Sequence, residues 1–194
     1  MKKTVMLDNG HGKETAGKRS PKWADGTQLF EWEFNRDIVK RIAQKCKTAG
    51  IDCRVLVPEG KDISLQERCR RANEIHQETN GNCFLISVHA NAGGGTGFEC
   101  YTSPGATKAD TYATEICKAM QAMFPEQKMR FDYSDGDPDK ESEFYILMHT
   151  KSPAILTENF FMDRETDCRL IMSQEGREAI AEAHFQAIKK IMSL

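Results

Sequence analysis

The sequence contains no apolar run approaching the roughly 20 residues that a membrane-crossing helix requires, so a helical span is excluded. It also lacks basic excess. Its 27 Lys and Arg stand against 29 Asp and Glu, a formal net charge of −2, and that balance argues against a nucleic-acid surface. Seven cysteines are present, at 46, 53, 69, 83, 100, 117 and 168, but no Cys-x-x-Cys pair. A thiolate zinc site or thioredoxin-like motif is therefore not expected. The odd count and irregular spacing suit free thiols in a reducing compartment, acting as small buried hydrophobes. Behind Met1-Lys2-Lys3 the only apolar run is Val5-Met6-Leu7, short of the roughly 7–15 residues of a signal-peptide core. The expectation is a chain made in the cytoplasm with no export signal of its own. Repeats, low-complexity tracts and linkers are missing too, so residues 1–194 read as one domain.

What is present is a core and a pattern. Hydrophobic residues make up 39% of the chain, with ten Phe and two Trp, too many for a disordered segment. Thr4–Leu7 reads as a buried strand closed by Asn9-Gly10, and 12–29 as a polar loop. Phe34, Ile38, Ile42 and Cys46 recur every fourth residue, one face of a helix over 33–49 that Gly50 stops. Cys53–Val57 is a second strand. Ser64 with Glu67 has the spacing of a capping box opening a helix that runs to about Glu78. Cys83–Val88 is a near-continuous apolar strand, as at the centre of a sheet, and Phe98–Thr102 alternates like another. Ala113, Ile116, Cys117, Met120 and Phe124 mark a further helix, 125–143 a charged surface loop, and Tyr145–Met148 and Ala154–Thr157 two last strands. Ile180, Ala183, Ala187, Ile188 and Ile191 line a closing helix. Strands alternating with helices predict an α/β three-layer sandwich, a mostly parallel twisted sheet with helices on both faces.

Three polar residues stand at the ends of apolar strands: His11 beyond the Asn9-Gly10 turn, His89 after Phe84–Val88, and Glu158 after Ala154–Thr157. Ligands of open α/β sheets bind outside the carboxyl ends of strands, so these ends can converge. Two imidazoles and a carboxylate suggest either a metal centre or an acid–base site. Without nearby thiolates, the set suits zinc with one position open to water, and Glu31 is available as a carboxylate ligand.

Five blocks, in order and spanning nearly the whole chain, resemble one family. They are Leu7-Asp8-Asn9-Gly10-His11-Gly12, Glu31-Trp32-Glu33-Phe34-Asn35, Ser64-Leu65-Gln66-Glu67-Arg68 with Ala72-Asn73, Ser87-Val88-His89-Ala90-Asn91-Ala92 with Gly97 and Glu99, and Pro153–Glu158 with Phe161. Together they are similar to the type 3 catalytic domain of zinc-dependent N-acetylmuramoyl-L-alanine amidases. The resemblance implies His11, Glu31 and His89 as ligands of one zinc ion and Glu158 as the catalytic carboxylate. It implies hydrolysis of the amide joining N-acetylmuramic acid to the L-alanine of the peptidoglycan stem. Residues 1–194 are expected to be the catalytic domain alone, with no wall-binding module. The sequence departs from the family at Lys13, where a second glycine is common, and at Met162-Asp163, where Ser-Asn is frequent.

Further expectations follow. Glu158 would act as general base and then general acid. Asn91 and Gly97 would contact substrate, and Asp8 and Glu99 are candidates to accept ring N–H groups of the histidines. The partner would be peptidoglycan or a muropeptide, with the protein a monomer. A phage-type endolysin, stored in the cytoplasm, is one setting. The rival accounts are a zinc peptidase of the stem or of other acylated amino acids, and an inactive peptidoglycan-binding regulator. The alternative for Glu158 is a salt bridge to an arginine such as Arg68. His76 and His184 read as structural, and His149 is undecided. The Gly93–Gly97 run precedes a strand, so it is not a phosphate cradle, and Ser87 lacks the Gly-x-Ser-x-Gly elbow of a nucleophile.

Overall fold

A computed structural model describes residues 3–194; Met1 and Lys2, at the start of the basic segment, lie outside the described residues. The elements in chain order are β1 (Thr4–Asn9), α1 (Glu31–Thr48), β2 (Asp52–Val55), α2 (Leu65–Glu78), β3 (Cys83–Asn91), β4 (Phe98–Thr102), α3 (Lys108–Met123), β5 (Lys140–Glu141), α4 (Tyr145–His149), β6 (Ala154–Phe161), α5 (Glu165–Met172) and α6 (Gln174–Ile191). The strands form one sheet in the order β2-β1-β3-β6-β4-β5. Every adjacent pair is parallel except β4 against β6. This is the mostly parallel, helix-covered sheet that the alternation of elements predicts.

Successive residues of a strand face opposite sides of the sheet, and that alternation builds two unequal cores. Val5, Leu7, Phe84, Ile86 and Val88 face one side, where Phe34, Ile38 and Ile42 of α1, Ile116 and Met120 of α3, and Ile180 and Ile188 of α6 pack on them. Met6, Leu85 and Leu156 face the other, against Cys69 and Ala72 of α2 and Ile146 and Leu147 of α4. Both faces of the central strands are therefore covered, which is why they read as continuous apolar runs. Two residues beyond Met6, Leu85 and Leu156 stand Asp8, Ser87 and Glu158. The thinner, α2–α4 side of the sheet thus turns from apolar to polar at its carboxyl end. That change positions the site.

Several elements differ from expectation. Tyr145–His149 is helical, not a strand. A short apolar run carries no periodicity that separates the two, and its adjacent Ile146 and Leu147 are both buried. β3 and β6 continue past His89 and Glu158, which lie within strands and pair with each other in register. The next partners are Asn91 and Phe161, so β6 holds one extra residue. This bulge places Phe160 at φ 66, with its ring edge-on to Phe124 at 5.2 Å. Glu31 is the first residue of α1 rather than a residue ahead of it. Ser64 caps α2 by accepting from the Glu67 amide, but the Glu67 carboxylate turns to Arg70 and Arg71, so the box is half formed. Thr107 and Asp110 form a complete box on α3. Helix α5 gave no sequence signal. Within the charged 125–143 stretch, Met129 bridges to Phe98 and β5 joins the sheet beside Tyr101 and Thr102.

Candidate metal centre

His11 leaves β1 in the left-handed region, φ 62, a conformation that costs a non-glycine residue free energy and persists where its surroundings enforce it. Two arginines do so. The His11 carbonyl accepts from Arg36 Nη1 at 2.9 Å and from Arg68 Nη2 at 3.2 Å. Gly10 is required for a different reason: a Cβ there would stand 2.0 Å from His89 Cε1. The chain thus passes His89 with no room for a side chain.

Glu31, at the start of α1 and almost wholly buried, meets both imidazoles. Its Oε1 lies 3.2 Å from His11 Nε2 and 3.1 Å from His89 Nδ1. The same oxygen accepts from the Ala90 amide at 3.3 Å and from Asn35 Nδ2 at 3.4 Å, and Asn35 also donates to the Gly10 carbonyl at 3.1 Å. The other carboxylate oxygen, Oε2, is buried with no hydrogen-bond partner. Burial opposes ionisation of Glu31, but the hydrogen bonds from His11 and His89 prevail and hold the carboxyl well below the usual carboxylate range. Burial likewise disfavours a charged His89, and the carboxylates of Glu31 and Glu158 outweigh it, so its pKa rises. Two imidazoles, a charged carboxylate and an orphaned buried oxygen fit a divalent cation. One ligand atom from each of His11, Glu31 and His89 lies within 4.8 Å of the others. Ligand atoms around a tetrahedral ion with bonds of about 2.0–2.1 Å stand about 3.3 Å apart, close to the two histidine–glutamate distances.

Behind His89 runs a chain of polar contacts in which the expected acceptor, Asp8, is reached through Ser87. His89 Nε2 is 3.2 Å from Ser87 Oγ. Ser87 donates to Asp8 Oδ2 at 2.6 Å, and Arg68 Nη1 bonds Asp8 Oδ1 at 2.6 Å. A metal-bearing histidine held through its other nitrogen in this way has a fixed ring orientation. Asp8 therefore serves His89 at one remove, through Ser87. Arg68 is committed to Asp8 and to the Asn9 carbonyl at 2.8 Å, not to Glu158, so the salt-bridge alternative for Glu158 is not formed. The available signal was the shared alternation of Asp8, Ser87 and Met6, Leu85 on one sheet face.

Glu158 sits beside His89 on the neighbouring strand, half-buried, and its Oε2 is enclosed with no partner. Burial dominates and pushes its carboxyl up to about 7; His89 pulls it down and Glu31 adds to the rise. His11, His89, Glu158, Ser87 and Arg68 all line one cleft of about 450 Å³, which extends past Ile63 and Leu65 on one side and Phe144 and Tyr145 on the other.

The remaining candidates lie off this cleft. Asn91 donates its amide to Glu99. Gly97, at φ 104, lies where a Cβ would be 2.2 Å from the Lys128 carbonyl, and its amide donates to Asp167. Glu99 bonds neither histidine; Arg130 and Lys140 hold it. His149 stacks on Tyr145 with ring centroids 3.7 Å apart. His184 is buried between Thr157 Oγ1 and the Ile180 carbonyl. Asp163, one of the departures from the family pattern, accepts from the amides of Gly93 and Gly94 and so closes that turn. All seven cysteines are free thiols.

A sequence profile of N-acetylmuramoyl-L-alanine amidases matches residues 5–190. The chain belongs to this family. The endolysin of Bacillus phage SPP1 is 30% identical over 200 residues, covering 100% of this chain and 68% of that protein. The N-acetylmuramoyl-L-alanine amidase CwlM of Bacillus licheniformis is 28% identical over 190 residues, 98% of this chain and 69% of that one. The fold of this family member matches the crystal structure of the Clostridium difficile 630 N-acetylmuramoyl-L-alanine amidase, with a TM-score of 0.84 at 24% identity over 99% of this chain and 97% of that one. The family, the fold and the His11/Glu31/His89 cluster agree on a metal-dependent hydrolase of peptidoglycan amides.

Proposed function

We propose that this chain cleaves the amide between the lactyl group of N-acetylmuramic acid and the L-alanine of the stem peptide, using one zinc ion held by His11, Glu31 and His89, with Glu158 as general base and acid. The observation that carries the assignment is the unpartnered, enclosed Oε2 of Glu158, which pairs in register with His89 and lines the same cleft as His11 and His89. Imidazole and carboxylate donors without thiolate suit zinc with an open position. Zinc in such a site supplies Lewis acidity, polarising the amide carbonyl and lowering the pKa of water there.

The protein's own groups do the rest. Glu31 and His89 stay fixed by Asn35, the Ala90 amide and the Ser87–Asp8–Arg68 chain, so the ligands need little rearrangement. Glu158 removes a proton from the attacking water, and its carboxyl, raised to about 7, is matched to both taking and returning that proton near neutrality. It then delivers the proton to the departing alanine nitrogen. Ile63, Leu65, Phe144 and Ile146 give the cleft apolar walls. Similarity over the whole chain to the SPP1 endolysin supports wall lysis as the setting.

The test combines metal analysis with purified sacculi. The zinc-loaded protein is expected to release L-alanine amino termini without creating reducing sugar ends. The Glu158→Gln variant should keep its metal and lose at least about 100-fold in turnover. Wild-type turnover in that variant removes Glu158 from the mechanism, and new amines internal to the stem assign the protein as a peptidase.

A further inference from the structure

We propose that Arg130 and Lys140 form a carboxylate-reading wall for the peptide portion of the substrate, one strand away from Glu158; this rests on the amidase reading above. Glu99 faces Glu158 in register across β4 and β6, strands that stand about 4.8 Å apart. Its Oε1 receives both cations, Arg130 Nε at 2.6 Å and Lys140 Nζ at 2.6 Å. Its Oε2 is occupied by the Tyr101 hydroxyl at 3.0 Å and by Asn91. One carboxylate therefore meets two full positive charges, and the cluster keeps a surplus of one.

That surplus is directed outward. The Glu99 side chain is 4% exposed, whereas Arg130 and Lys140 are 32% and 25% exposed. Among the described residues no other carboxylate comes within salt-bridge distance of either cation. Of the nearby acids, Glu141 accepts from the Gly105 amide, Asp139 from the Thr102 hydroxyl and Asp132 from the Ser134 amide; Asp132 feels the charge of Lys140 but forms no ion pair with it. Aromatic faces hold both cations in place. The Arg130 guanidinium lies 5.4 Å from the centre of the Phe161 ring, and Lys140 Nζ lies 5.8 Å from that of Tyr101. Tyr101 in turn meets Phe144, which lines the cleft, at 5.2 Å. Neutralising Glu99 needs one cation; a second, preorganised by a buried anchor, is suited to a second anion. A peptide whose alanine nitrogen is served by Glu158 and which runs toward β4 brings a carboxylate on its following residue to this wall.

The experiment uses two soluble N-acetylmuramoyl-L-alanyl peptides, identical except that the residue after alanine carries a free carboxylate in one and a carboxamide in the other. With zinc-loaded wild-type protein, the carboxylate substrate should show the lower KM. Arg130→Gln and Lys140→Gln should each raise that KM about two- to fivefold, leave kcat within about twofold, and leave the carboxamide substrate unchanged. Lys140→Arg should keep the preference. Equal KM values for both substrates in the wild type overturn the proposal, and so does a kcat loss shared by both substrates in the variants, the mark of a mere brace for Glu99. If the wild type cleaves neither peptide, the amidase reading fails instead. Calorimetric titration of the two peptides then still decides the wall: preference for the carboxylate, lost in both Gln variants, supports it, and equal binding overturns it.

Discussion

Alanine at position 10 tests the metal centre without replacing a ligand. The φ of Gly10 lies outside the left-handed region, so a methyl group adds no backbone strain there. Its effect is purely steric. The added Cβ would stand 2.0 Å from His89 Cε1, 2.4 Å from Nδ1 and 2.5 Å from Nε2. Tolerable contact begins near 3.4 Å, so the ring must retreat by 3.4 − 2.0, about 1.4 Å. Metal–nitrogen bonds tolerate only about 0.2 Å, and the same retreat breaks the contacts of His89 with Glu31 and Ser87. Loss of an outer-shell partner alone costs about 10–100-fold in metal affinity; displacing the ligand itself should exceed that. Overpacking should cost the metal-free fold about 1–3 kcal/mol. Competition against a chromophoric chelator reports the first quantity, and denaturant unfolding of the metal-free protein the second. A Gly10→Ala protein that binds zinc within threefold of wild type would show that His89 is not a ligand in this position.

Two further outcomes follow from buried charge. Arg68→Met leaves Asp8 enclosed without its cation and also removes the bonds to the Asn9, His11 and Ile63 carbonyls; unfolding titrations should show a loss of about 3–5 kcal/mol, partly recovered by adding Asp8→Asn. No recovery would mean that the carbonyl bonds, not the ion pair, carry the cost. His184 is the second case. Burial is the main cause lowering its pKa to about 4, with the Ile180 carbonyl opposing, while the unfolded chain keeps about 6.5. The unfolded state therefore binds the extra proton between those values. Stability should be full above about pH 6.5 and should fall by about 3 kcal/mol as pH drops to about 4. Unfolding midpoints from pH 7 to 4 for wild type and His184→Gln test this; identical slopes in the two proteins would rule out His184 as the source.

The convergence of His11, His89 and Glu158 on one cleft was legible because His89 and Glu158 directly follow apolar runs and His11 lies just past the turn that closes another. The fold class was legible because the strand and helix periods differ. What periodicity could not report was which side of the sheet each polar residue faced beyond its own strand. Ser87 therefore reads only as a serine without the setting of a nucleophile, whereas the fold sets it between Asp8 and His89. Strand ends were misplaced for the same reason. β3 and β6 continue through the site because they satisfy each other's backbone there, a pairing invisible in either segment alone. Helix α4 went unseen because five residues carry too little pattern, and α5 because its buried face alternates with charge. The link between Glu99 and Arg130 and Lys140 spans 31 and 41 residues, a separation no local spacing rule reaches.

The segment bearing Arg130 docks on β4 through its main chain. Phe98 donates to the Lys128 carbonyl at 3.0 Å, and Arg130 returns its own amide to Phe98 at 2.9 Å, in the gap that the missing side chain of Gly97 leaves. Peptide groups do not depend on what they carry. Residue 130 can be exchanged while the rung that seats it stays, so the molecule separates the attachment of its recognition surface from the chemistry displayed there, and a change of taste requires no change of architecture.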